Sequence, residues 1–221
     1  MRNVPSNFSI SRARYAQKII AERVLENDLL PNRIERAVGV DLAYRNNYVV
    51  GSAVIVEYKS FKVIEKKYVI TKVKFPYIPT LLAFREVFPA WNALNKLNNR
   101  YDIVFVDGNG RLHPYKAGFA CHLGIIIDKP TIGIAKKLLC GRVGEWMHNC
   151  APIYYNNETI GYALKTLKRA KPIYVSIGHK ISIKTAIKLT LLFTRKGLRL
   201  PEPIRQAHIL AKNIALMDIE L

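Results

Sequence analysis

Three acidic side chains stand where an ionised carboxylate is costly unless it binds a cation or several hydrogen-bond donors. Asp41 lies inside an apolar run of valine, glycine, leucine and alanine, and Asp107 ends a second apolar run just before Gly-Asn-Gly. Glu86 lies among apolar residues, three positions ahead of Pro89. Taken singly, each has an ordinary alternative: an ion pair for Asp41, a turn or cap for Asp107, and a solvated helix position beside Arg85 for Glu86.

Together, and in this chain, the three acids favour metal-dependent hydrolysis. Lysine and arginine number 35 against 16 acidic residues, a formal net charge of +19. A folded chain this basic indicates a polyanionic partner, most often nucleic acid, although general solubility or an acidic protein partner would also account for the charge. Carboxylates that hold Mg²⁺ or Mn²⁺ are a standard device for phosphodiester hydrolysis. Two such ions about 3.5–4 Å apart stabilise both the attacking and the departing oxygens.

Basic side chains near these acids are candidates for a catalytic role. His113 follows Asp107 by six residues and could fix a phosphate or orient a water, or simply serve as a turn residue. Lys136 follows an apolar run and could neutralise charge near the scissile phosphate, or lie exposed beside the next lysine. His122 and His179 are weaker candidates, for which packing or surface roles are equally suitable.

Length and composition exclude several classes of protein. The chain has 221 residues, half of them hydrophobic, which suits one folded domain over residues 1–221 and excludes a disordered tail. Apolar runs stay well short of the roughly 20 residues of a membrane span. The start lacks the apolar stretch of a signal peptide, so we expect an intracellular, cytoplasmic protein. The three cysteines include no CxxC pair, which argues against a zinc site or a disulfide framework.

The periodicity of the first third changes from helical to alternating. Residues 11–27 place apolar side chains on one stripe and predict a helix, part of an N-terminal helical segment, 1–35, that covers the sheet. Three runs with β-strand character follow, joined by short polar links that suit antiparallel hairpins. These predicted strands are 37–43, 48–58 and 61–70.

A proline-rich segment separates these strands from the rest. Phe75–Pro79 contains two prolines, which exclude a regular strand or helix. Thr80 is predicted to cap a helix that begins at Leu81. Pro89 is predicted to interrupt that helix, so that the break aims Glu86 inward.

From residue 101 onward, strands and helices alternate. An antiparallel meander that passes into β/α alternation predicts an α/β fold, a mixed sheet covered by helices. The predicted strands here are 103–106, 131–135 and 173–176, and the predicted helices are 116–124, 182–193 and 203–216.

A series of segments stands in a recognisable order along the chain: Val38–Tyr44, Phe75–Pro79, Phe84–Glu86, Val106–Pro114, Gly118–Gly124 and Ile132–Lys136, followed by Ser176–His179 and Leu200–His208. These segments resemble those of the endonuclease V family, the last two more loosely. The similarity extends over about residues 36–210, and it implies a ribonuclease H-like fold with an antiparallel meander followed by parallel β/α units.

The resemblance implies a DNA-repair endonuclease that recognises inosine, the product of adenine deamination, and cuts the second phosphodiester bond on its 3′ side. It implies Mg²⁺ as cofactor, with Mn²⁺ as a substitute, held by Asp41, Glu86, Asp107 and His208. The catalytic residues it implies are Asp41, Glu86, Asp107 and Lys136, to which we add His113 from its position after Asp107. The substrate-binding residues are expected to be Tyr77, Ile78, Leu82, Gly108, Lys116 and His122, with Tyr77 as a wedge that probes the base stack.

The sequence departs from the family pattern at one position and leaves alternatives open. The usual His-Pro-Arg reads His113-Pro114-Tyr115, so a phosphate contact normally made by the arginine passes, by expectation, to Lys116. Tyr77 could instead pack under a loop. The expected partner is DNA containing deoxyinosine, with inosine RNA as a second substrate, and the expected state is a monomer. The alternatives are another ribonuclease H-like nuclease, such as a junction resolvase or an inosine-specific ribonuclease, and a non-catalytic basic nucleic-acid-binding protein.

Overall fold

Nine strands form one sheet within the part of the chain that the computed structural model describes, residues 8–217. Residues 1–7, the start of the predicted segment 1–35, lie outside it, as do residues 218–221. The strands are β1 (Arg36–Arg45), β2 (Tyr48–Glu57), β3 (Val63–Lys72), β4 (Ile103–Asp107), β5 (Thr131–Ala135), β6 (Arg142–Val143), β7 (Cys150–Tyr155), β8 (Glu158–Leu164) and β9 (Ile173–His179). The helices are α1 (Ile10–Arg23), α2 (Ala83–Asn95), α3 (Phe119–Ile127), α4 (Ile183–Leu192) and α5 (Glu202–Leu216).

The strand order is β3-β2-β1-β4-β5-β9-β8-β7-β6. The first three strands pair antiparallel, and β1, β4 and β5 then pair in parallel. From β5 onward, pairing is antiparallel again. The predicted ribonuclease H-like mixed sheet, an antiparallel meander followed by parallel β/α units, is confirmed.

Apolar side chains from both faces of the sheet are buried under helices. On one face, Val38, Val40 and Val104 pack with residues of α2 and α3. On the other, Ile103 and Phe105 pack with residues of α4 and α5. Because successive strand residues point to opposite faces, this arrangement fixes which side chains of β1 face which helices.

A glycine in β1 lets α5 approach the strand that carries Asp41. A Cβ on Gly39 would lie 1.9 Å from the carbonyl oxygen of Pro203, at the start of α5. Asp41 is two residues farther along the strand, on the same face as Gly39. The close approach therefore brings the following turns of α5 over Asp41.

The predicted start and interruption of the second helix are wrong. Thr80 has a φ of 68°, and its hydroxyl bonds to the Pro79 carbonyl instead of capping a helix. The helix begins at Ala83 and continues through Pro89 to Asn95. Pro89 is buried against β2, and this packing compensates for the hydrogen bond that proline cannot donate.

The first and third helices also differ from their predicted bounds. Helix α1 ends at Arg23, not residue 27, because Val24 is extended and the Leu25 N–H donates to Nδ1 of His179. Helix α3 begins at Phe119 instead of residue 116, because Lys116 has a φ of 50°, outside the helical region. Among the described residues, no helix is both long and apolar enough to cross a membrane.

Candidate active site

Three side chains from distant parts of the chain meet at one end of the parallel strands. Val40 pairs with Val106, so that Asp41 of β1 and Asp107 of β4 lie side by side. His208 of α5 reaches the same place, with its Nδ1 atom 2.7 Å from Oδ2 of Asp41. Potential ligand atoms of Asp41, Asp107 and His208 all lie within 4.8 Å of one another.

The environment of Asp41 disfavours its ionised form. Burial raises the pKa of Asp41 to about 6, and repulsion from the Asp107 carboxylate adds to the shift. Lys136 and the hydrogen bond to His208 act in the opposite direction. Lys136, directly after β5, makes an ion pair with Oδ2 of Asp107, so its ammonium lies at the edge of the acid pair.

Glu86 lies behind this pair, in the first turn of α2. Burial raises the pKa of Glu86 to about 8; the Tyr44 hydrogen bond opposes the shift, and the carboxylates of Asp41 and Asp107 add to it. The Tyr44 hydroxyl donates to Oε1 over 3.2 Å. Glu86 is therefore inward-facing as predicted, but within an unbroken helix, and it is not part of the group whose ligand atoms lie within 4.8 Å.

The donor set suits a hard divalent cation. Asp41 is 7% exposed and Glu86 8%, and both pKa values are raised by burial and by neighbouring carboxylates. A cation between these oxygens would relieve the repulsion, and carboxylate oxygens are the ligands that Mg²⁺ and Mn²⁺ prefer. We refer to Asp41, Glu86, Asp107 and His208 below as the acid cluster.

Two neighbours of Glu86 were not singled out from the sequence. Arg85 lies with its guanidinium carbon 4.2 Å from the centre of the Tyr44 ring, and its Nε is buried without a hydrogen-bond partner. Both residues fall in segments that carry the family resemblance, and this resemblance was the only feature of the sequence that could have identified them. Their contact could not be read from sequence because it joins β1 to α2.

The proline-flanked segment presents Tyr77 to solvent. Its side chain is 68% exposed, so Tyr77 does not pack under a loop. Ile78 is half-buried, and Leu82, also half-buried, stands at the N-cap of α2. We call residues 75–80 the probe loop.

Two buried histidines lie beside the probe loop. Burial lowers the pKa of His113 to about 4, although a hydrogen bond to the Thr80 backbone acts in the opposite direction. Burial also lowers the pKa of His122 to about 4, and its ring lies edge-on to Phe84, with the ring centres 5.2 Å apart. Both imidazoles are therefore neutral at pH 7, and Nε2 of His122 has no hydrogen-bond partner.

The last two predicted substrate-binding residues occupy different surroundings. Gly108 donates its N–H to the Ile134 carbonyl, and a Cβ there would lie 3.0 Å from the Phe119 ring. Lys116 makes an ion pair with Glu158, so its ammonium is already engaged.

Comparison with known proteins places these residues in a family context. The sequence model of the Endonuclease V family matches residues 18–209. A protein named Endonuclease V from Thermofilum pendens is 55% identical over 220 residues, 100% of this chain and 95% of the relative. Another from Archaeoglobus fulgidus is 40% identical over 94% of both chains.

Solved structures agree with these sequence relatives. The crystal structure of an endonuclease V from Streptomyces avermitilis matches with a TM-score of 0.87 and 32% identity, over 96% of each chain. An endonuclease V from Ciona intestinalis matches with a TM-score of 0.85 and 25% identity, over 96% of this chain and 98% of the other. That protein was crystallised with a 23mer DNA containing an inosine followed by a ribo-adenosine.

Proposed function

The chain belongs to the endonuclease V family, and from this we propose that it is a metal-dependent repair endonuclease specific for inosine-containing DNA. It cuts the second phosphodiester bond on the 3′ side of the inosine and leaves 3′-hydroxyl and 5′-phosphate ends. We propose that it acts as a monomeric, single-domain protein in the cytoplasm. The complex of the Ciona intestinalis relative with inosine-containing DNA supports the substrate class.

The observation that carries this proposal is the acid cluster. Asp41, Asp107 and His208 place ligand atoms within 4.8 Å of one another, in a chain of net charge +19 that has few acids to spare. Glu86 adds a buried carboxylate behind them. A non-catalytic nucleic-acid-binding protein would leave these costly buried acids without a role.

These four residues would hold the cation. When bound, it supplies Lewis-acid activation and neutralises charge on the phosphate. The oxygen-rich donor set favours Mg²⁺, and the histidine nitrogen is compatible with Mn²⁺ as a substitute.

Two basic residues act on the reacting groups. The Lys136 ammonium lies beside Asp107 and would stabilise negative charge that develops on the scissile phosphate. His113 is buried and neutral, and its Nδ1 accepts the Tyr115 N–H over 3.2 Å while the ring also bonds the Thr80 backbone. It would orient a phosphate oxygen or a water by exchanging one of these two hydrogen bonds.

The probe loop and its neighbours would select the base. Tyr77 and Ile78 would enter the stack, while Leu82, Gly108 and His122 would line the space that takes the displaced base. Extruding a base is least costly at a mismatched or damaged pair, which contributes to selectivity.

A gel assay on a labelled strand with one deoxyinosine tests the proposal. With Mg²⁺ we expect one cut, one nucleotide beyond the lesion on its 3′ side, and no cut in excess EDTA or on a matched deoxyadenosine strand. Equal cutting of both strands, or cutting in EDTA, would contradict it.

Inosine RNA is a second candidate substrate. The DNA bound by the Ciona intestinalis relative carries a ribo-adenosine directly after the inosine, so a ribonucleotide is accommodated there in that protein. The same assay on an inosine RNA of identical sequence decides the preference of this chain: faster cutting of the RNA would identify it as an inosine-specific ribonuclease.

A further inference from the structure

A basic groove lies outside the acid cluster, between α1 and the loop 111–116. Its volume is about 750 Å³. Its walls combine cations, aromatic rings and one acid: Arg14, Tyr15, Lys18, Glu22, Arg111 and Tyr115. The lining therefore has the two features that suit a nucleic-acid strand, positive charge and exposed rings.

Some cations of this groove form ion pairs with acidic side chains and others do not. Arg111 pairs with Glu26, and Lys116 at the same wall pairs with Glu158. Arg14 and Lys18 form no ion pair with any residue in the described range 8–217. Their charge is therefore available to an anion that enters the groove.

Arg14 is held in a defined position. Its guanidinium carbon lies 4.1 Å from the centre of the Tyr115 ring, and one Nη1 donates to Oε1 of Gln17 over 2.8 Å. Gln17 is fully buried and donates in turn to the Thr80 carbonyl over 2.6 Å. Nη1 of Arg14 also donates to the Thr80 carbonyl over 3.5 Å. A guanidinium fixed in this way loses little further freedom when it binds an anion, and its Nε and Nη2 groups form no hydrogen bond with any residue in the range 8–217.

The position of this guanidinium relates it to the substrate path. Thr80 ends the probe loop, and Tyr115 follows His113 by two residues, with the two ring centres 6.0 Å apart. The groove therefore lies beside the loop that carries His113, and Arg14 and Gln17 on its α1 wall contact the end of the probe loop. It is thus placed to take the strand on one side of a base that the probe loop engages.

We propose that this groove binds the backbone of the substrate strand beside the inosine, and that Arg14, stacked on Tyr115, contacts one phosphate. The proposal rests on the proposed function, since it takes the inosine-bearing strand as the occupant. A planar guanidinium matches a phosphate with paired hydrogen bonds. The family pattern has an arginine where this chain has Tyr115, and Lys116 was expected to make its phosphate contact. Lys116 is engaged by Glu158. Arg14, whose guanidinium lies over the Tyr115 ring, supplies a cation at the same place.

The test measures affinity for an inosine strand and for its adenosine counterpart in EDTA, from 50 to 200 mM salt, by fluorescence anisotropy. For Arg14→Ala we expect about a tenfold loss of affinity for both strands. The salt slope, that is, the slope of log affinity against log salt concentration, should fall in magnitude by about 1, the value of one phosphate contact. Tyr115→Phe keeps the ring under the guanidinium and should match the parent, while Tyr115→Ala should weaken binding.

Arg195→Ala is the matched control. Arg195 also lies over an aromatic ring, that of Phe61, at 5.7 Å, but at the opposite end of β1 from the acid cluster. We expect it to bind both strands like the parent. The melting temperature of each variant is measured alongside.

The outcomes separate the possible roles of Arg14. A parental salt slope in Arg14→Ala overturns the proposal, and a lowered melting temperature with that slope would show that Arg14 only ties α1 to the loop. Because EDTA removes the divalent cation that cleavage is proposed to need, binding is measured there without cleavage. A parent that binds strands but fails to cut the inosine strand in Mg²⁺ would overturn the proposed function alone.

Discussion

The acid cluster and the surface around it handle charge in opposite ways. In the cluster, like charges are buried together, and burial raises the pKa values of Asp41 and Glu86. At the rim, which we define as the probe loop and the groove between α1 and residues 111–116, cations such as Arg14 and Lys18 are solvent-accessible and repel one another little. The cluster therefore lowers the free energy of unfolding until a cation binds, whereas the cations of the rim do not lower it. From this contrast we propose that cleavage takes place at the cluster and that the rim binds the strand.

The largest expected effect concerns the rim and the basic surface. A chain of net charge +19 releases counterions wherever it neutralises phosphates. For six to ten phosphate contacts, affinity for a DNA strand should fall by about 10³–10⁵ between 50 and 200 mM salt. Filter binding or anisotropy measures this directly, and an affinity that stays flat over the range would show that the charge serves another purpose.

Removing an acid should separate cleavage from binding. Asp107→Ala should lower the cleavage rate by about 10³-fold, since it deletes a metal ligand worth several kcal/mol of charge stabilisation. Affinity for the strand should stay within a few-fold of the parent, because the rim is intact. Single-turnover gel assays with Mg²⁺ check both.

The matched control for this variant is Asp128→Asn. Asp128 is an exposed acid at the C-terminal end of α3 that pairs with Lys180. It should cut at the parental rate. Efficient cutting by Asp107→Ala would remove the acid cluster from the mechanism.

The stability cost of the cluster should be visible without metal. The ordinary pKa of a glutamate is 4.5, and in the folded protein the pKa of Glu86 is about 8. Between these pH values the unfolded chain has released the proton that the folded protein retains, so the free energy of unfolding falls as pH rises. In EDTA, Glu86→Gln should flatten this slope and stabilise the protein at pH 8 by at least about 1 kcal/mol, about 2–4 °C in Tm for this length.

Two further measurements sharpen that result. Mg²⁺ should raise the Tm of the parent more than that of Glu86→Gln, because the variant has lost a charged donor. Glu35→Gln, which changes a solvent-exposed acid paired with Arg33, should melt like the parent. If the free energy of unfolding of Glu86→Gln depends on pH as it does in the parent, burial does not raise the pKa of the Glu86 carboxylate in the folded protein.

The order of most elements could be predicted from sequence, because it depends on local patterns. Hydrophobic patterning marks β1 and β4 as strands, but their adjacency, which brings the two aspartates together, follows only from the ribonuclease H-like fold that the resemblance implies. His208 was found only through the family resemblance, whereas the apolar run ahead of Lys136 also singled out that lysine. Nothing in the local sequence of His208 indicates that α5 passes over Asp41, which depends on the close approach at Gly39.

The errors have a common origin in tertiary packing. Local rules end a helix at Pro89, but burial against β2 outweighs them. The stacking of Arg14 on Tyr115 likewise joins residues about a hundred positions apart, beyond the reach of spacing or periodicity. The strands β6, β7 and β8, for which no prediction was made, are a different case. They extend the sheet beyond β9 but pair with strands nearby in sequence, so tertiary packing does not account for their omission.

A change in the probe loop should separate two functions of the rim, holding a strand and choosing it. Tyr77 is 68% exposed on a loop stiffened by Pro76 and Pro79, so Tyr77→Ala removes no core contact and should leave the Tm unchanged. Apolar wedges part base steps at a cost of a few kcal/mol, and an aromatic ring can occupy the vacated space. The variant should therefore keep its affinity for an undamaged strand while its preference for cutting inosine over adenosine falls by about tenfold, about 1.4 kcal/mol. Competition assays with both strands in one tube measure the ratio, and Tyr15→Ala, another exposed tyrosine in the rim but outside the probe loop, is the control that should keep it. If Tyr77→Ala discriminates as well as the parent, selection resides in the space lined by Leu82, Gly108 and His122, and the probe loop belongs with the cations as a part that only holds the strand.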